Sequence, residues 1–197
     1  MRVLGLTGNI GTGKSTASSI IKDLNIKVID CDVVSREVAD DKSILKKLES
    51  TFGHEIINND TLNRKKLGEI VFSDKNSLKK LNEIMHPAMR CKIKEYINIY
   101  SKTEKLCVLD GAILIEAGFN DLVEDIILIS STENLQLKRV NKRDGHSYEY
   151  IKGIINSQMP LNEKEKYCRY VIHNNYTIEY LENEIKGIIK GFLDMEA

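Results

Sequence analysis

Nine consecutive residues, Gly8-Asn9-Ile10-Gly11-Thr12-Gly13-Lys14-Ser15-Thr16, carry the clearest chemistry in this chain. They fill the pattern G-x-x-x-x-G-K-[ST], and each part of that pattern answers to a polyphosphate. Successive backbone N–H groups of such a loop point inward, and the N-terminus of the following helix adds positive potential. Lys14 supplies a full charge for the β- and γ-phosphates, and Ser15 a hydroxyl for Mg²⁺. Glycines at 8, 11 and 13 let the backbone approach phosphate without a Cβ in the way. Gly11, Thr12, Gly13, Lys14, Ser15 and Thr16 are therefore the expected nucleotide contacts. Such a loop works only between a strand and a helix, and both flanks read that way. Val3-Leu4-Gly5-Leu6-Thr7 is a short apolar run before it, and Ile20, Ile21 and Leu24 recur at helical spacing after it. The chain is expected to bind a nucleoside triphosphate rather than to carry a bare glycine-rich turn.

Further groups fall where a parallel sheet delivers its ligands, at the carboxyl ends of strands. Asp30 closes the run Ile26-Lys27-Val28-Ile29-Asp30, and Asp32 lies two residues on. On extended backbone the two would project to one face. Asp110 ends Leu106-Cys107-Val108-Leu109-Asp110, where a metal-binding acid beside Ser15 is expected. Arg36 follows Asp32 by one turn if a helix begins there. Arg139 and Arg143 are also one turn apart. Phosphoryl transfer needs neutralisation by Mg²⁺, donors for the equatorial oxygens, and a hydroxyl aimed in line at the γ-phosphorus. Asp32 could accept that hydroxyl's proton or simply orient it, and the two arginines could close over the phosphates and exclude water. Lys14, Asp32, Arg139 and Arg143 form the expected catalytic set. Each also has a plainer reading. Asp32 could cap a helix, worth about 1 kcal/mol, Asp30 could be a structural acid, and Asp110 an exposed strand end. Arg36 could be a surface ion-pair partner, the two arginines a solvated face, and His86-Pro87 the shape of a helix junction.

These groups need a scaffold. Besides the runs at 3–7, 26–30 and 106–110, Asp125-Ile126-Ile127-Leu128-Ile129 and Arg169-Tyr170-Val171-Ile172 read as strands covered on both faces. Helical stretches between them predict a doubly wound parallel five-stranded α/β sheet. A final helix at about 178–193 carries Leu181, Ile185, Ile188, Ile189 and Phe192 on one face. Two segments interrupt the alternation. About seventy residues separate the second and third strands, where a simple crossover needs far fewer. They read as helices at 44–52, 64–72 and 77–100, the last broken near Pro87 because the residue before proline disfavours the α region. The second segment, about 136–166, reads as a mobile lid. The whole chain, 1–197, is expected to be one domain. Its core spans about 1–34 and 104–197, and a helical acceptor-binding insertion about 35–103.

Composition narrows the function classes. Lys plus Arg and Asp plus Glu number 29 each, so no basic excess exists to hold a nucleic-acid backbone. Cys31, Cys91, Cys107 and Cys168 are scattered and share no ligand spacing with the histidines, which argues for reduced thiols in a cytoplasmic protein. No leader pattern begins the chain, and no stretch approaches the ~20 apolar residues of a membrane span. A monomer is favoured.

The ordered set of motifs resembles the dephospho-coenzyme A kinase family. The glycine loop is followed by Asp30-Cys31-Asp32 with Arg36, then by Asp60-Thr61-Leu62-Asn63-Arg64 with Leu67 and Val71-Phe72. Leu81-Asn82, Ile84 and His86-Pro87 are similar to that family's L-N-x-I-x-H-P stretch. The run from Leu135 through Arg139 and Arg143 to Asp144 is similar to its lid, with Gln158 at its glutamine. Val171-Ile172-His173-Asn174-Asn175 resembles its late strand-plus-asparagine motif. Departures are Ala112 where the family has proline, Cys31 for alanine, Asn9 for a common glycine, and Tyr176 near an expected glycine. The resemblance implies a P-loop kinase fold like that of nucleoside-monophosphate kinases, with an acceptor-binding insertion and a lid. It implies transfer of the ATP γ-phosphate to the ribose 3′-hydroxyl of dephospho-CoA, with Mg²⁺ accompanying ATP. Asp32 would be the base or orienter, Arg139 and Arg143 lid residues, and Asp30, Arg36 and His86 part of the acceptor site. Asn174 would lie near the adenine. Two rivals are a kinase for a nucleoside monophosphate or sugar-like alcohol, and an ATP-dependent switch. The long insertion counts against the first.

Overall fold

The near-continuous apolar runs at 3–7, 106–110 and 125–129 become strands because both of their faces are covered. In a computed structural model that describes residues 1–195, β1 (Arg2–Thr7) leads through the glycine loop into α1 (Lys14–Asp23), and β2 (Lys27–Asp30) runs directly into α2 (Cys31–Ala39). Next come α3 (Lys42–Phe52), a hairpin of β3 (Ile57–Asn58) and β4 (Thr61–Leu62), α4 (Arg64–Ser73) and α5 (Lys75–Tyr100). The remaining elements are β5 (Leu106–Asp110), β6 (Asp125–Ser130), α6 (Glu133–Asp144), α7 (Tyr148–Ser157), α8 (Leu161–Glu165), β7 (Tyr170–His173) and α9 (Ile178–Asp194). All five strands expected for the central sheet are present, in the order β2-β5-β1-β6-β7. The chain falls into two compact units, one of Asp30–Asn98 and one holding the flanking segments, residues 1–29 and the chain from Ile99 onward.

In the sheet-bearing unit, register sets the site. Leu6 lies opposite Asp110 on one side and Ile127 on the other, so three parallel strands end together beside the glycine loop. The Gly111 N–H donates to the Leu6 carbonyl at 3.0 Å and extends that pairing by one residue. β7 pairs with β6 up to Ser130 and His173, after which the Asn174 N–H donates to the Ser130 carbonyl. One core cluster joins Leu4 and Leu6 of β1, Ala17 and Ile21 of α1, and Leu181, Ile185, Ile189 and Phe192 of α9. The 3.6-residue spacing read along α1 and α9 is the face that this cluster buries.

The Asp30–Asn98 unit packs helices around Val34, Val38, Leu48, Leu67, Met85, Met89 and Ile93, all buried. Two expectations change here. Helix α5 is not broken at Pro87 but continues through it. Proline there removes one ladder hydrogen bond, yet Met85, Met89 and Ile93 lie buried on both sides of it and keep the two halves on one core. The hairpin was not foreseen. Its two-residue turn, Asn59-Asp60, has φ of 48° and 58°, the left-handed pair that a type I′ turn requires and that Asn and Asp tolerate best.

Burial in the sheet makes stability sensitive to alkali. Cys107, within β5, is inaccessible to solvent, and burial pushes its thiol up from 9.0 to about 11. Burial pushes Cys168 up to about 11 as well. The unfolded thiols ionise near 9 while the folded ones remain protonated. Their contribution is therefore complete below pH 9 and is lost as pH rises through about 11. For Cys107 the loss is roughly 2–3 kcal/mol. Urea unfolding at pH 8 and pH 10.5 is expected to show most of this drop, and Cys107→Ala to remove the Cys107 share of it while leaving that of Cys168.

Candidate active site

The loop after β1 is shaped by glycines that no other residue could replace. Gly11 has φ 76°, and a Cβ there would lie 2.7 Å from the Gln136 carbonyl oxygen. Gly13, at φ 97° and ψ 17°, is the N-cap of α1, and a Cβ on it would run into the Asn174 side-chain amide. Within the loop, Thr12 donates from both its N–H and its hydroxyl to the Asn9 carbonyl, at 3.2 and 2.8 Å. These bonds fold the backbone back on itself beside a cavity of about 550 Å³. Gly11, Gly13, Lys14, Ser15 and Thr16 line that cavity together with Arg139, Arg143 and Asn174.

Lys14 makes a 2.6 Å ion pair with Asp110, whose side chain is 4% exposed. The strand-end acid is thus neither solvated nor isolated, and the exposed strand-end reading does not hold. Ser15 opens the first turn of α1 and is exposed. Thr12 is buried and acts on the loop itself.

Arg139 lies half-buried on α6, and its guanidinium grips backbone. One terminal nitrogen donates to the Gly11 and Thr12 carbonyls at 3.4 and 3.3 Å and to the Ser131 hydroxyl at 3.3 Å. The other donates to the Asn174 carbonyl at 2.8 Å. Asn174 in turn donates its amide to the Thr12 carbonyl at 2.8 Å. Both residues therefore hold the phosphate loop in shape, a role that sequence reasoning did not give them. Arg143, one turn further along α6, lines the cavity and forms a two-pronged pair with Asp144 at 2.8 and 2.7 Å. That pair holds the Asp144 carboxyl below its usual range.

The acidic pair after β2 differs from expectation. Asp30 ends the strand, but Cys31 already begins α2, so Asp32 sits in the first helical turn and not on extended backbone. Asp30 is the N-cap, accepting from the Asp32 and Val33 N–H groups at 2.8 and 3.3 Å. The helix-cap reading therefore belongs to Asp30, and Asp32 is left exposed. Arg36 stands one turn beyond Asp32 on the same helix, as the spacing implied. His86 is half-buried on α5, where burial pulls its imidazole below the ordinary value.

Further residues hold the site; of these Gln158 was marked by the resemblance, while Gln136 and Lys164 gave little signal in the sequence. Gln136, buried on α6, donates to the Ile10 carbonyl at 2.9 Å. The Ile10 N–H donates to the Gln158 side chain and the Asn9 amide to the Met159 carbonyl, each at 3.0 Å. Lys164, in the segment read as a lid, is wholly buried; its ammonium donates to the Ala112 carbonyl at 2.6 Å and pairs with Glu116 at 3.0 Å. Burial pulls this lysine below its ordinary value against the opposing pull of Glu116. It ties α8 to the stretch that follows Asp110. Lys164→Met is expected to lower stability by about 3 kcal/mol, because Glu116 and a carbonyl lose their partner. Urea denaturation of the variant measures that cost.

Comparison with known proteins fits this geometry. The family profile described as dephospho-CoA kinase matches residues 2–179. A dephospho-CoA kinase of Lactobacillus johnsonii is 41% identical over 95% of this chain and 96% of its own length. Among solved structures, the protein TT1252 of Thermus thermophilus aligns with TM-score 0.84 and 29% identity over 96% of this chain and 97% of its own. Dephospho-CoA kinase from Campylobacter jejuni aligns with TM-score 0.76 and 30% identity over the full length of both chains. With a profile that spans nine-tenths of the sequence and relatives matched end to end, the chain belongs to the dephospho-CoA kinase family.

Proposed function

We propose that this chain transfers the γ-phosphate of ATP to the ribose 3′-hydroxyl of dephospho-CoA, releasing ADP and coenzyme A, the last step of coenzyme A synthesis. The observation that carries this reading is an intact phosphate cradle, from Gly8 to Thr16, in a chain that matches the family from residue 2 to residue 179. The loop N–H groups and Lys14 hold the triphosphate tail, and Arg139 and Asn174 keep the loop in the shape that receives it. The acceptor oxygen bonds to the γ-phosphorus as the bond from that phosphorus to the bridging β,γ-oxygen breaks. Asp32 takes or directs the proton of the hydroxyl, by its place in the family motif. Asp30, Arg36 and His86 serve the acceptor on the same ground. Arg143 is the lid arginine free to exchange its neighbour Asp144 for phosphate oxygens, and Asn174 stands toward the adenine end of the nucleotide.

No group of three or more His, Cys, Asp or Glu side chains among the described residues could cage a metal. One hydroxyl and one carboxylate, Ser15 and Asp110, suit Mg²⁺, which completes its shell with phosphate oxygens and water. Bound there with ATP, the ion would neutralise charge on the β- and γ-oxygens. No helix among the described residues is long and apolar enough to cross a membrane. We read the protein as a cytoplasmic, monomeric enzyme with small-molecule partners only.

A panel of acceptors in a coupled ADP-release assay tests the assignment. Dephospho-CoA is expected to support turnover well above any nucleoside monophosphate or sugar alcohol. Strong turnover of a monophosphate with none on dephospho-CoA would overturn it, and ATP turnover raised only by a protein partner would point to a switch.

A further inference from the structure

The cavity beside the glycine loop is lined by two chemically different sets of side chains. Lys14, Arg139 and Arg143 are cationic, whereas Tyr176, Ile178 and Leu181 carry no charge. A nucleoside triphosphate joins the same two chemistries, an anionic tail and a flat, neutral heterocycle. Tyr176 is 69% exposed and Ile178 64% exposed, while Leu181 beneath them is buried. Two large apolar side chains thus stand open on the wall of a cavity whose volume suits a ligand of this size.

The Tyr176 ring is also held in place before any ligand arrives. On its N-terminal side, Asn175 accepts through its side-chain oxygen from the Ser131 hydroxyl and the Thr132 N–H, at 3.1 and 3.2 Å. On its C-terminal side, Thr177 caps α9 by accepting from the Tyr180 N–H at 3.3 Å. Tyr180 then packs edge-on against Tyr176, with ring centroids 4.9 Å apart and planes at 67°. An edge-on partner fixes the plane of a ring and leaves a face for stacking. Polar reading of the base has less to draw on, because the Asn174 amide already donates to the Thr12 carbonyl.

We propose that Tyr176 is the nucleobase platform of this site, its exposed face stacking on the adenine of bound ATP. The proposal rests on the reading of the cavity as the ATP site, and it places affinity for the base in ring contact more than in hydrogen bonds. Stacking of a base on an aromatic side chain accepts any heterocycle with a π face, so GTP should stack too.

The chain contains no tryptophan, so Tyr176→Trp installs a single indole at the proposed platform. ATP is expected to quench its fluorescence, and GTP likewise, whereas inorganic tripolyphosphate, which has a tail and no base, should bind without quenching. In steady-state assays Tyr176→Ala should raise the KM for ATP about tenfold and leave the KM for dephospho-CoA within about twofold, while Tyr176→Phe retains the wild-type KM for ATP. Calorimetry on the wild-type protein separates the two levels of failure. If wild type binds ATP and turns over but the indole ignores ATP, or tripolyphosphate quenches equally, the platform is wrong and the kinase assignment stands. If wild type binds no ATP, both fall.

Discussion

Lys14→Ala is expected to lower turnover by about a thousandfold or more and to weaken ATP binding. Removing a single preorganised donor from a transition state costs about 10²–10³, and here the lost group is a full charge aimed at the oxygens where negative charge gathers. The structure adds a complication. Lys14 lies 2.6 Å from Asp110, and that carboxylate is 4% exposed, so truncation leaves a buried anion without its partner. Breaking a buried pair from one side costs about 3–5 kcal/mol of stability, comparable with the whole margin of many domains. Loss of activity alone could then reflect unfolding. The double variant Lys14→Met, Asp110→Asn separates the two effects because it removes both charges at similar volume. Its urea midpoint is expected to recover much of what Lys14→Ala loses, while ADP release stays at the floor. Near-normal turnover in either folded variant would contradict the phosphate cradle.

Much of this arrangement is legible in the chain because local rules and the fold agree. The strands at β1, β5 and β6 are near-continuous apolar runs, and only a sheet covered on both faces makes sense of them. The glycine loop announces its flanks as well as its ligand. What the sequence hides is of two kinds. The first is backbone geometry at element joints. Asp30 and Asp32 look equivalent two residues apart, yet one ends a strand and caps a helix while the other rides on that helix, and no periodicity spans four residues of strand and one turn of helix. Pro87 is the mirror case, where a local breaker is outweighed by apolar residues buried on both sides of it. The second kind is tertiary bonding to backbone around the site. Gln136 and Lys164 lie far along the chain from the carbonyls they hold, those of Ile10 and Ala112. Lys164 sits in Asn162-Glu163-Lys164-Glu165-Lys166, whose charge pattern describes a solvated surface. On the short helix after Pro160 this lysine is nevertheless buried, its ammonium on the Ala112 carbonyl and Glu116.

Asp32→Asn separates chemistry from binding. The variant should lower kcat by about 10²–10⁴, the usual worth of a positioned general base, and change the KM for ATP by no more than about threefold. The fold supplies the control. Asp30, not Asp32, accepts from the N–H groups that open α2, so the cap survives the substitution. The remaining cost is the attraction of the Asp32 charge for the helix N-terminus, about 0.5 kcal/mol at an exposed position. Thermal unfolding should therefore barely move, and a fall in rate cannot be charged to a damaged helix. If Asp32 merely orients the acceptor, Asn keeps an oxygen able to accept the same hydrogen bond, and the loss shrinks toward tenfold. If it takes the proton, the loss is large. A third outcome, weaker ATP binding with the rate per bound complex unchanged, would move Asp32 out of acceptor chemistry and into the shell of the nucleotide's metal.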